Sequence, residues 1–395
     1  VWDFTTGGTM ANGKRIAVAI SDEAIETTHP DLQNNIWPGS PHQGSGAFHG
    51  TAVASVVGAV GNNAQGIAGV NWDVDIVSSA AAFDLSDVID VFEDALTLRQ
   101  QFNNSNGVNG AMVVSVTASW GTPGILACDG FSYPLFHDMA TAGILVITSG
   151  PNEPTDLDVA PEYPSSCALA EHLVVGSIGP LGQTPYAFGD NSVHLLAPGL
   201  DVPVADEFNN YQFADGNSFA IPHVAGAIAL LYSVPCPGFA ALVMDDPQAA
   251  RDLVKNAILN NTAPVPGGNA LTITGGKLNV FAAYQALMAQ CPSCDTVTVN
   301  LTTAAGAAAI FTLENGSGDL VAQGTGDAIA FCAQEGCFNA VVLDGASQPL
   351  NGTFTAELLG NTFASGTIVD GALDFVIGTV ITGCTDPGAN NFNPL

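Results

Sequence analysis

The sequence predicts an α/β fold, in which a mostly parallel sheet is flanked by helices, followed by a small antiparallel β-sandwich. Over residues 1–290, short apolar runs alternate with helix-length segments, which is typical of buried parallel strands in βαβ units. From Thr296 the pattern changes to short alternating strands separated by Gly, Asn, Asp and Ser turns. No Lys or Arg follows Lys277, so the composition changes near the same point. We therefore predict domains at 1–290 and 291–382, with residues 383–395 as the start of a truncated Cys-containing repeat.

The elements of the first domain are predicted from the spacing of their apolar residues. Valines between Val53 and Val60 recur at the i, i+3, i+4, i+7 interval of one helix face, which predicts a helix over 49–60. The segment 218–232 is dense in Ala and Gly and predicts a second, closely packed helix. The other predicted helices are 246–260 and 278–289, and the predicted strands are 16–21, 113–119, 144–149, 173–178 and 193–197.

The second domain is predicted from six short runs of alternating apolar residues. Gly, Asn, Asp and Ser turns bound each run, as expected for antiparallel strands. The Phe residues of this region occupy strand positions, which favours a role in the core over a role in binding. The six runs are 297–301, 310–313, 329–331, 340–343, 354–358 and 375–377.

The charge balance excludes two classes of partner. The 395 residues include six Lys and Arg against 37 Asp and Glu, for a formal charge of −31. Phosphate backbones and anionic lipid repel such a polyanion, so we expect neither nucleic-acid nor membrane binding. No run of 18 apolar residues predicts a transmembrane span. The scarcity of Lys favours an exported, extracellular protein that faces salt, cold or proteolysis, three alternatives that composition does not separate.

The eight cysteines also suit an exported protein. An even number is compatible with four disulfide bonds, although the sequence fixes none of the pairings. Cys291 and Cys294 form a CxxC motif, for which a structural pair at a linker competes with a zinc knuckle or a redox site. No second CxxC and no nearby His completes a zinc set, so the structural interpretation is favoured.

Three segments carry side chains suited to catalysis. Asp22 ends the first apolar strand, and functional groups gather at the carboxyl ends of strands in an open parallel sheet. His49 begins a predicted helix beside Gly50, which allows another backbone to approach. Ser218 lies at the start of a buried helix, where free N–H groups and the helix dipole favour an oxyanion.

Each of these residues also has a simpler interpretation. Asp22 alone suits an ordinary strand end, His49 a backbone-bonded imidazole, and Ser218 an N-cap. Pro222 is compatible with the predicted helix because it lies in the first turn. The order Asp, His, Ser along an α/β chain is, however, one of the orders in which a hydrolytic triad occurs. That order favours the catalytic interpretation.

The chain resembles the subtilisin-like serine peptidases, the subtilase family, over about residues 1–290. The three signatures of that family correspond to AISDEAIETTHPDL at 19–32, HGTAVA at 49–54 and GNSFAIPHVAG at 216–226. The region after Cys291 resembles, more weakly, the accessory β-domains of exported bacterial peptidases. Further similar stretches lie at 62–70, 119–121, 197–199 and 275–280.

The resemblance implies roles for four residues. Ser218 is the expected nucleophile, His49 its general base, and Asp22 the carboxylate that orients the imidazole. Asn152, together with the Ser218 backbone N–H, is the expected oxyanion hole. Asn217 replaces the usual Thr before the nucleophile, and Pro151 replaces a usual Gly. Because no catalytic group is lost, we expect a secreted serine endopeptidase that cleaves proteins or peptides through an acyl-enzyme.

The resemblance also implies a substrate groove. The substrate peptide adds as a strand beside residues 116–121, and the S1 pocket lies between two short segments. Glu153 lies near the mouth of that pocket and favours a basic P1 side chain weakly. The pocket segments comprise Ser119, Trp120 and Gly121 on one side and Ser149, Gly150 and Pro151 on the other.

A structural Ca²⁺ site is the last expectation from the resemblance. Asp31 and Asn63 are its side-chain ligands, because mixed carboxylate, amide and carbonyl oxygens suit a hard cation. A metal-free turn is the alternative. The chemistry itself requires no cofactor, and we expect a monomer. The carbonyl ligands are those of Gly61, Gln65 and Ile67.

Two other functions stay open from the sequence. A catalytically silent binding or adhesion protein can reuse the same fold, although the intact set of four catalytic residues favours an enzyme. The β-rich tail can bind an insoluble substrate, such as a structural protein or a polysaccharide.

Overall fold

The computed structural model describes residues 1–41, 46–80, 85–123, 132–167, 172–291, 296–303, 309–315, 320–332, 336–344, 347–358 and 361–377. These residues form two compact units. The first comprises Val1–Met10, Arg15–Val234 and Leu242–Gln290. The second comprises Ala11–Lys14, Pro235–Ala241 and the described residues from Cys291 onward. The repeat predicted at 383–395 lies outside the described residues.

The helices and the strands before Cys291 follow the order expected of an α/β chain. The helices are α1 (Phe48–Gly58), α2 (Leu85–Asn104), α3 (Ser132–Ala142), α4 (Asn217–Tyr232), α5 (Pro237–Asp245), α6 (Pro247–Leu259) and α7 (Val280–Ala289). The strands are β1 (Ile16–Asp22), β2 (Asp75–Ala80), β3 (Met112–Ala118), β4 (Thr122–Pro123), β5 (Leu145–Thr148), β6 (Glu162–Tyr163), β7 (His172–Ile178), β8 (Leu195–Pro198), β9 (Val202–Ala205), β10 (Tyr211–Ala214), β11 (Ala263–Pro264) and β12 (Gly276–Lys277).

An eight-stranded sheet forms the centre of the first unit, in the order β11-β12-β8-β7-β5-β3-β1-β2. Neighbouring strands are parallel from β2 to β12, and the edge strand β11 is antiparallel. Every residue of β1, β3, β5 and β7 is buried. Burial on both faces explains why most residues of these strands are apolar. The predicted mostly parallel sheet with flanking helices is confirmed.

Helix α4 is the most deeply buried helix with a complete description. All of its residues except Ser218 and His223 are buried. Its small residues allow close packing, since a Cβ added to Gly226 would lie 3.0 Å from the Val57 carbonyl oxygen of α1. Helix propensity contributes little in such a segment, and packing against the sheet and α1 holds it. The nucleophile candidate therefore lies at the exposed end of an otherwise buried helix.

Three adjacent strands of the sheet present their carboxyl ends at one edge. β1 lies beside β3, and β3 lies beside β5, all in the same direction. Asp22 ends β1, Ser119 follows β3, and Ser149 follows β5. Because parallel strands end at the same edge of a sheet, residues far apart in the sequence are brought together there.

The second unit contains two four-stranded antiparallel sheets. Their orders are β16-β13-β18-β19 and β15-β14-β17-β20. One hydrophobic cluster contains buried residues from both sheets, including Phe311, Phe338 and Phe354. These three aromatic side chains are therefore core residues, as their strand positions predict. The strands are β13 (Thr296–Thr303), β14 (Ala309–Asn315), β15 (Leu320–Gly326), β16 (Ala328–Cys332), β17 (Gly336–Leu343), β18 (Gly352–Leu358), β19 (Asn361–Ile368) and β20 (Ala372–Ile377).

Disulfide bonding settles the interpretation of the CxxC motif. Cys291 is bonded to Cys236, which precedes α5. The Cys291 sulfur is thus unavailable to zinc or to a redox pair with Cys294. Cys167 is also disulfide-bonded. Cys128, Cys294 and Cys384 lie outside the described residues.

Among the described residues, no single helix has both the length and the apolar character of a membrane span. α4 and α5 reach that threshold only as a pair, and the two are bent by 108° relative to each other.

Candidate active site

Asp22 and His49 form a direct pair. Strand β1 places Asp22 at the sheet edge, and α1 begins one residue before His49. Asp22 Oδ1 lies 2.6 Å from His49 Nδ1. The same oxygen accepts a hydrogen bond from the Glu23 backbone N–H at 2.8 Å. A partner on Nδ1 fixes the tautomer in which the other ring nitrogen, Nε2, can act as a base. The Nδ1 atom of His49 is thus bound by the Asp22 carboxylate. The simpler interpretation, in which a backbone group binds the imidazole, is wrong.

Burial and pairing set the charges of the two groups. The Asp22 side chain is fully buried, whereas the His49 side chain is 29% exposed. Burial raises the pKa of Asp22, although the hydrogen bond from His49 opposes that rise. Burial lowers the pKa of His49, but the hydrogen bond and the charge of Asp22 outweigh it, so the His49 pKa is raised. The pair therefore stabilises an imidazolium more than water does.

Ser218 lies in the first turn of α4. The N-cap of this helix is Gly216, without a side-chain cap, so the N-cap interpretation of Ser218 is wrong. The Ser218 hydroxyl donates to the Ser119 carbonyl oxygen at 3.4 Å. The next residue, Phe219, has its ring centroid 5.8 Å from that of His49. The residue that follows Ser218 therefore packs near the imidazole.

Pro222 is the sixth residue of α4, and so lies beyond the first turn predicted for it. A proline has no N–H to donate to the carbonyl four residues earlier, which here belongs to Ser218. The Ser119 hydroxyl donates to that freed carbonyl oxygen at 3.4 Å. The two serines are therefore linked in both directions, which ties the end of β3 to the start of α4.

Asn152 lies beside the start of α4. Its Oδ1 accepts a hydrogen bond from the Asn217 backbone N–H at 2.7 Å. A Cβ added to Gly216, which has φ +155°, would lie 3.1 Å from Asn152 Nδ2. The backbone conformation at this position thus favours glycine, and a side chain here would crowd Asn152 Nδ2. Asn152 Nδ2 thus lies near Gly216, at the N-cap of α4.

The predicted substrate-binding residues differ in their burial and in their contacts with the rest of the protein. Ser119 contacts Ser218 through both of its oxygens, as described above. The Trp120 indole donates to Ser21 Oγ at 3.2 Å and packs against a buried cluster that includes Tyr163. Part of the Trp120 side chain is therefore used in packing within the protein. Ser149 is buried, and its carbonyl accepts a hydrogen bond from Ser165.

Glu162 lies beside Gly121, a residue of the predicted pocket, and the sequence does not indicate it. It pairs with Pro123 in the short β4–β6 ladder, and a Cβ added to Gly121 would lie 3.1 Å from its Oε2. Burial and, secondarily, the charge of Glu153 raise the pKa of Glu162. A cation between the two carboxylates would relieve that repulsion.

The predicted Ca²⁺ ligands are already hydrogen-bonded to each other. Asn63 turns its Nδ2 toward Asp31 Oδ1 at 2.7 Å, and the Ile67 N–H donates to Asp31 Oδ2 at 2.9 Å. The Tyr211 hydroxyl also interacts with Asp31, and burial followed by this interaction raises the Tyr211 pKa. N–H and O–H donors, not a cation, satisfy the carboxylate, so these residues as arranged do not fit Ca²⁺. In the described part of the chain, no group of three or more His, Cys, Asp or Glu is placed to hold a metal.

A buried carboxylate bound to an imidazole, together with a serine at the start of a helix without a side-chain cap, is the set of groups that serine hydrolases use. The sequence matches the Subtilase family over residues 13–276, which is about two thirds of the chain. The chain belongs to the subtilase family.

Two relatives show the extent of the likeness. Subtilisin-like protease 2 of Plasmodium falciparum (isolate 3D7) is 27% identical over 249 residues, which cover 56% of this chain and 17% of that protein. Subtilisin amylosacchariticus of Bacillus subtilis subsp. amylosacchariticus is 27% identical over 292 residues, which cover 69% of this chain and 66% of that protein. The match therefore spans less than two thirds of the length of either relative.

A solved structure shares the fold. The prenylagaramide maturation protease PagA superimposes with a TM-score of 0.53 at 24% identity, over 72% of this chain and 96% of that one. At this identity the likeness supports the architecture of the first unit and nothing about its substrate.

Proposed function

We propose that this protein is a serine endopeptidase that hydrolyses peptide bonds through Ser218, His49 and Asp22. The observation that carries the proposal is the 2.6 Å contact between His49 Nδ1 and the buried Asp22 carboxylate. A core position that served only stability would favour apolar side chains over an ion pair of this kind. The family relationship supports the same activity.

Acylation uses the proton affinity of the imidazole. Ser218 Oγ leaves the Ser119 carbonyl, transfers its proton to His49 Nε2 and attacks the scissile carbonyl carbon. The bond between that carbon and the leaving nitrogen then breaks, as His49 returns the proton to the amine. Asp22 stays ionised and stabilises the imidazolium between these two transfers. Water repeats the sequence on the acyl-enzyme and releases the acid product.

The negative charge on the tetrahedral intermediate needs donors that are already in place. Asn152 Nδ2 and the Ser218 backbone N–H are the proposed pair. The Ser218 N–H belongs to the first turn of α4, where backbone N–H groups have no acceptor within the helix. The absence of a side-chain cap on α4 leaves the Ser218 N–H available to the substrate. Removal of one such donor costs about 10²–10³ in kcat.

The proposed substrates are extended polypeptides. The main chain of Ser119, Trp120 and Gly121 follows β3 at the sheet edge, where a peptide can add as a further strand. The carboxylates of Glu162 and Glu153 near Gly121 favour a Lys or Arg side chain at P1. Attraction by two like charges is stronger than the effect of a single rim carboxylate.

A fluorophosphonate probe tests the proposed function. We expect rapid covalent labelling of the full chain, located to Ser218 by mass spectrometry of a digest. Ser218→Ala is the matched control and should not react. A folded wild-type protein without labelling would support the catalytically silent binding protein and overturn the peptidase.

We further propose that the protein acts outside the cell as a monomer. Disulfide bonds such as Cys236–Cys291 form and persist in oxidising compartments, which supports export. Sedimentation at micromolar concentration tests the monomer, and a dimer would overturn it. Recovery of intact chain from culture medium tests export.

The C-terminal sheets are the proposed site of attachment to insoluble protein or polysaccharide. The test compares the full chain with the chain lacking residues 292–395 on soluble and on insoluble protein. We expect the deletion to reduce activity on the insoluble substrate alone. An equal ratio of insoluble-substrate to soluble-substrate activity in the two chains would overturn the attachment role. The buried Phe residues of these sheets would then have a structural role only.

A further inference from the structure

Asn217 precedes the proposed nucleophile and is almost completely buried, with 1% of its surface exposed. Its Nδ2 donates to the Gly150 carbonyl oxygen at 3.0 Å and to the Pro151 carbonyl oxygen at 2.9 Å. Its Oδ1 accepts from the hydroxyl of Ser177, a residue of β7, at 2.7 Å. The side chain therefore links the start of α4 to the segment after β5 and to β7.

These contacts use both N–H bonds of the Asn217 carboxamide and one lone pair of its oxygen. No N–H is left to reach an oxyanion in the substrate. The side chain cannot therefore be a catalytic group, and its contacts are all with the protein. A Thr at this position has a single hydroxyl hydrogen and could donate to only one of the two carbonyls.

The loop that Asn217 holds ends at Asn152. The backbone N–H of Asn217 donates to Asn152 Oδ1 at 2.7 Å. Since that oxygen is bound, Asn152 Nδ2 is directed away from the Asn217 N–H. One residue thus fixes the carbonyls of Gly150 and Pro151 through its side chain and the Asn152 carboxamide through its main chain.

Pro151 makes the hydrogen bonds from Asn217 more important for holding this segment. It has no N–H with which to anchor this segment to the surrounding backbone. Its carbonyl oxygen accepts from Asn217 Nδ2 and also from the Ala187 backbone N–H at 3.3 Å. Gly150 leaves no room for a side chain, because an added Cβ would lie 2.6 Å from the Ala187 Cβ. Hydrogen bonds to carbonyl oxygens therefore hold the segment in place.

We propose that Asn217 is a positioning residue that aims Asn152 Nδ2 at the oxyanion of the tetrahedral intermediate. This inference rests on the proposed peptidase function. Misplacement of a donor by a fraction of an ångström weakens a hydrogen bond that matters most in the transition state. Loss of the Asn217 side-chain hydrogen bonds is therefore expected to lower kcat and to leave KM unchanged.

A double-mutant cycle between Asn217→Ala and Asn152→Ala tests the inference in the full chain. We expect N217A to lower kcat about 10- to 100-fold with KM within about twofold, and to lower kcat less than twofold further in the N152A background. An equal loss in both backgrounds would show that Asn217 does not act through Asn152 and would overturn the inference.

Ser177→Ala provides a second route to the same answer. It keeps both donors of Asn217 but removes the hydroxyl that holds its oxygen, so we expect a smaller loss of kcat, about two- to fivefold, which also disappears in the N152A background. If N217A does not fold, the double-mutant cycle between S177A and N152A tests the inference instead. Additive effects of these two substitutions on kcat would overturn it.

Ser115→Ala is the matched control for packing against α4. Ser115 is a buried β3 residue whose hydroxyl donates to the Ala225 carbonyl at 3.4 Å, away from the 150–152 segment. S115A should change Tm without changing kcat. If wild-type protein fails to react with the fluorophosphonate, the proposed function fails. If it reacts and the cycle is additive, only the role of Asn217 fails.

Discussion

The Asp22 carboxylate lies 2.6 Å from the His49 ring nitrogen Nδ1 and is completely buried, while the imidazole reaches the surface. Its second oxygen, Oδ2, has no hydrogen-bond partner among the described residues. An ionised carboxylate with one unsatisfied oxygen is costly to bury, and the imidazolium is the group that offsets this cost. The electrostatics of the site therefore depend on the protonation of His49.

The pH profile of kcat/KM should reflect this dependence. His49 acts as a base only when neutral, and Asp22 raises its pKa above the ordinary value of 6.5. We expect activity to rise with pH along a limb whose midpoint lies above 6.5. Asp22→Asn should lower kcat about 10⁴-fold and move the midpoint to lower pH, because the negative charge is gone. An unchanged midpoint in D22N would contradict the pairing.

Glu162 should set a preference for cationic P1 residues. On peptides that differ only at P1, we expect Lys to be cleaved faster than Gln, and Glu162→Gln to reduce that ratio about fivefold, or roughly 1 kcal/mol. The preference should weaken as the pH falls through the raised pKa of Glu162, since the neutral acid does not attract a cation. Glu207→Gln, in the turn between β9 and β10, is the control for the loss of one negative charge. A P1 ratio that E162Q leaves intact would place the carboxylate outside the pocket.

The buried His172 and the half-buried His194 should make the fold sensitive to acid. Burial, followed by the charges of His194 and Lys255, lowers the pKa of His172 to about 3, and burial also lowers the pKa of His194 to about 4. Both groups have a lowered pKa in the folded state, so the unfolded chain binds protons first. Their stabilising effect is present above pH 6.5 and is lost as the pH falls toward 4.

Chemical denaturation between pH 7 and pH 4 measures this effect. His172→Leu should flatten the pH dependence of the free energy of unfolding, since each unit of pKa shift corresponds to about 1.4 kcal/mol. His137→Gln, at an exposed position of α3, is the control and should leave the slope unchanged. Parallel curves for wild type and H172L would show that His172 is not a proton-linked group.

Calcium should have little effect on stability. Asn63 Nδ2 and the Ile67 N–H already occupy both oxygens of Asp31. We expect Tm to change by less than about 1 °C on addition of millimolar Ca²⁺ or of EDTA, because a ligand stabilises only if it binds the folded state. A large, saturable rise in Tm that Asp31→Asn abolishes would instead show that the loop rearranges to bind the cation.

The central sheet could be predicted from sequence because its strands are buried on both faces. The predicted strand 16–21 corresponds to β1, and 173–178 to β7, each with a one-residue difference. Strand β2 is not among the predicted strands, and three of its six residues are polar, although it pairs with β1 along most of its length. Tertiary pairing, not local pattern, makes it a strand.

The site residues that lie within linear sequence motifs could be predicted from the sequence. Asp22, His49 and Ser218 stand in such motifs, and the structure brings Asp22 to His49. Glu162 and Ser177 stand in none, because their roles depend on neighbours more than 35 residues away in the sequence. The replacement of Thr by Asn at 217 is visible in the sequence, but its two carbonyl partners are not.

Every group proposed for bond cleavage comes from a different stretch of the polymer. Asp22, His49, Asn152 and Ser218 meet only when β1, β5 and two helices have docked around one sheet edge. A partly folded chain therefore contains all four residues but has no assembled active site. A newly made copy therefore gains activity only after its own sheet edge is assembled, and local unfolding of that edge should abolish cleavage.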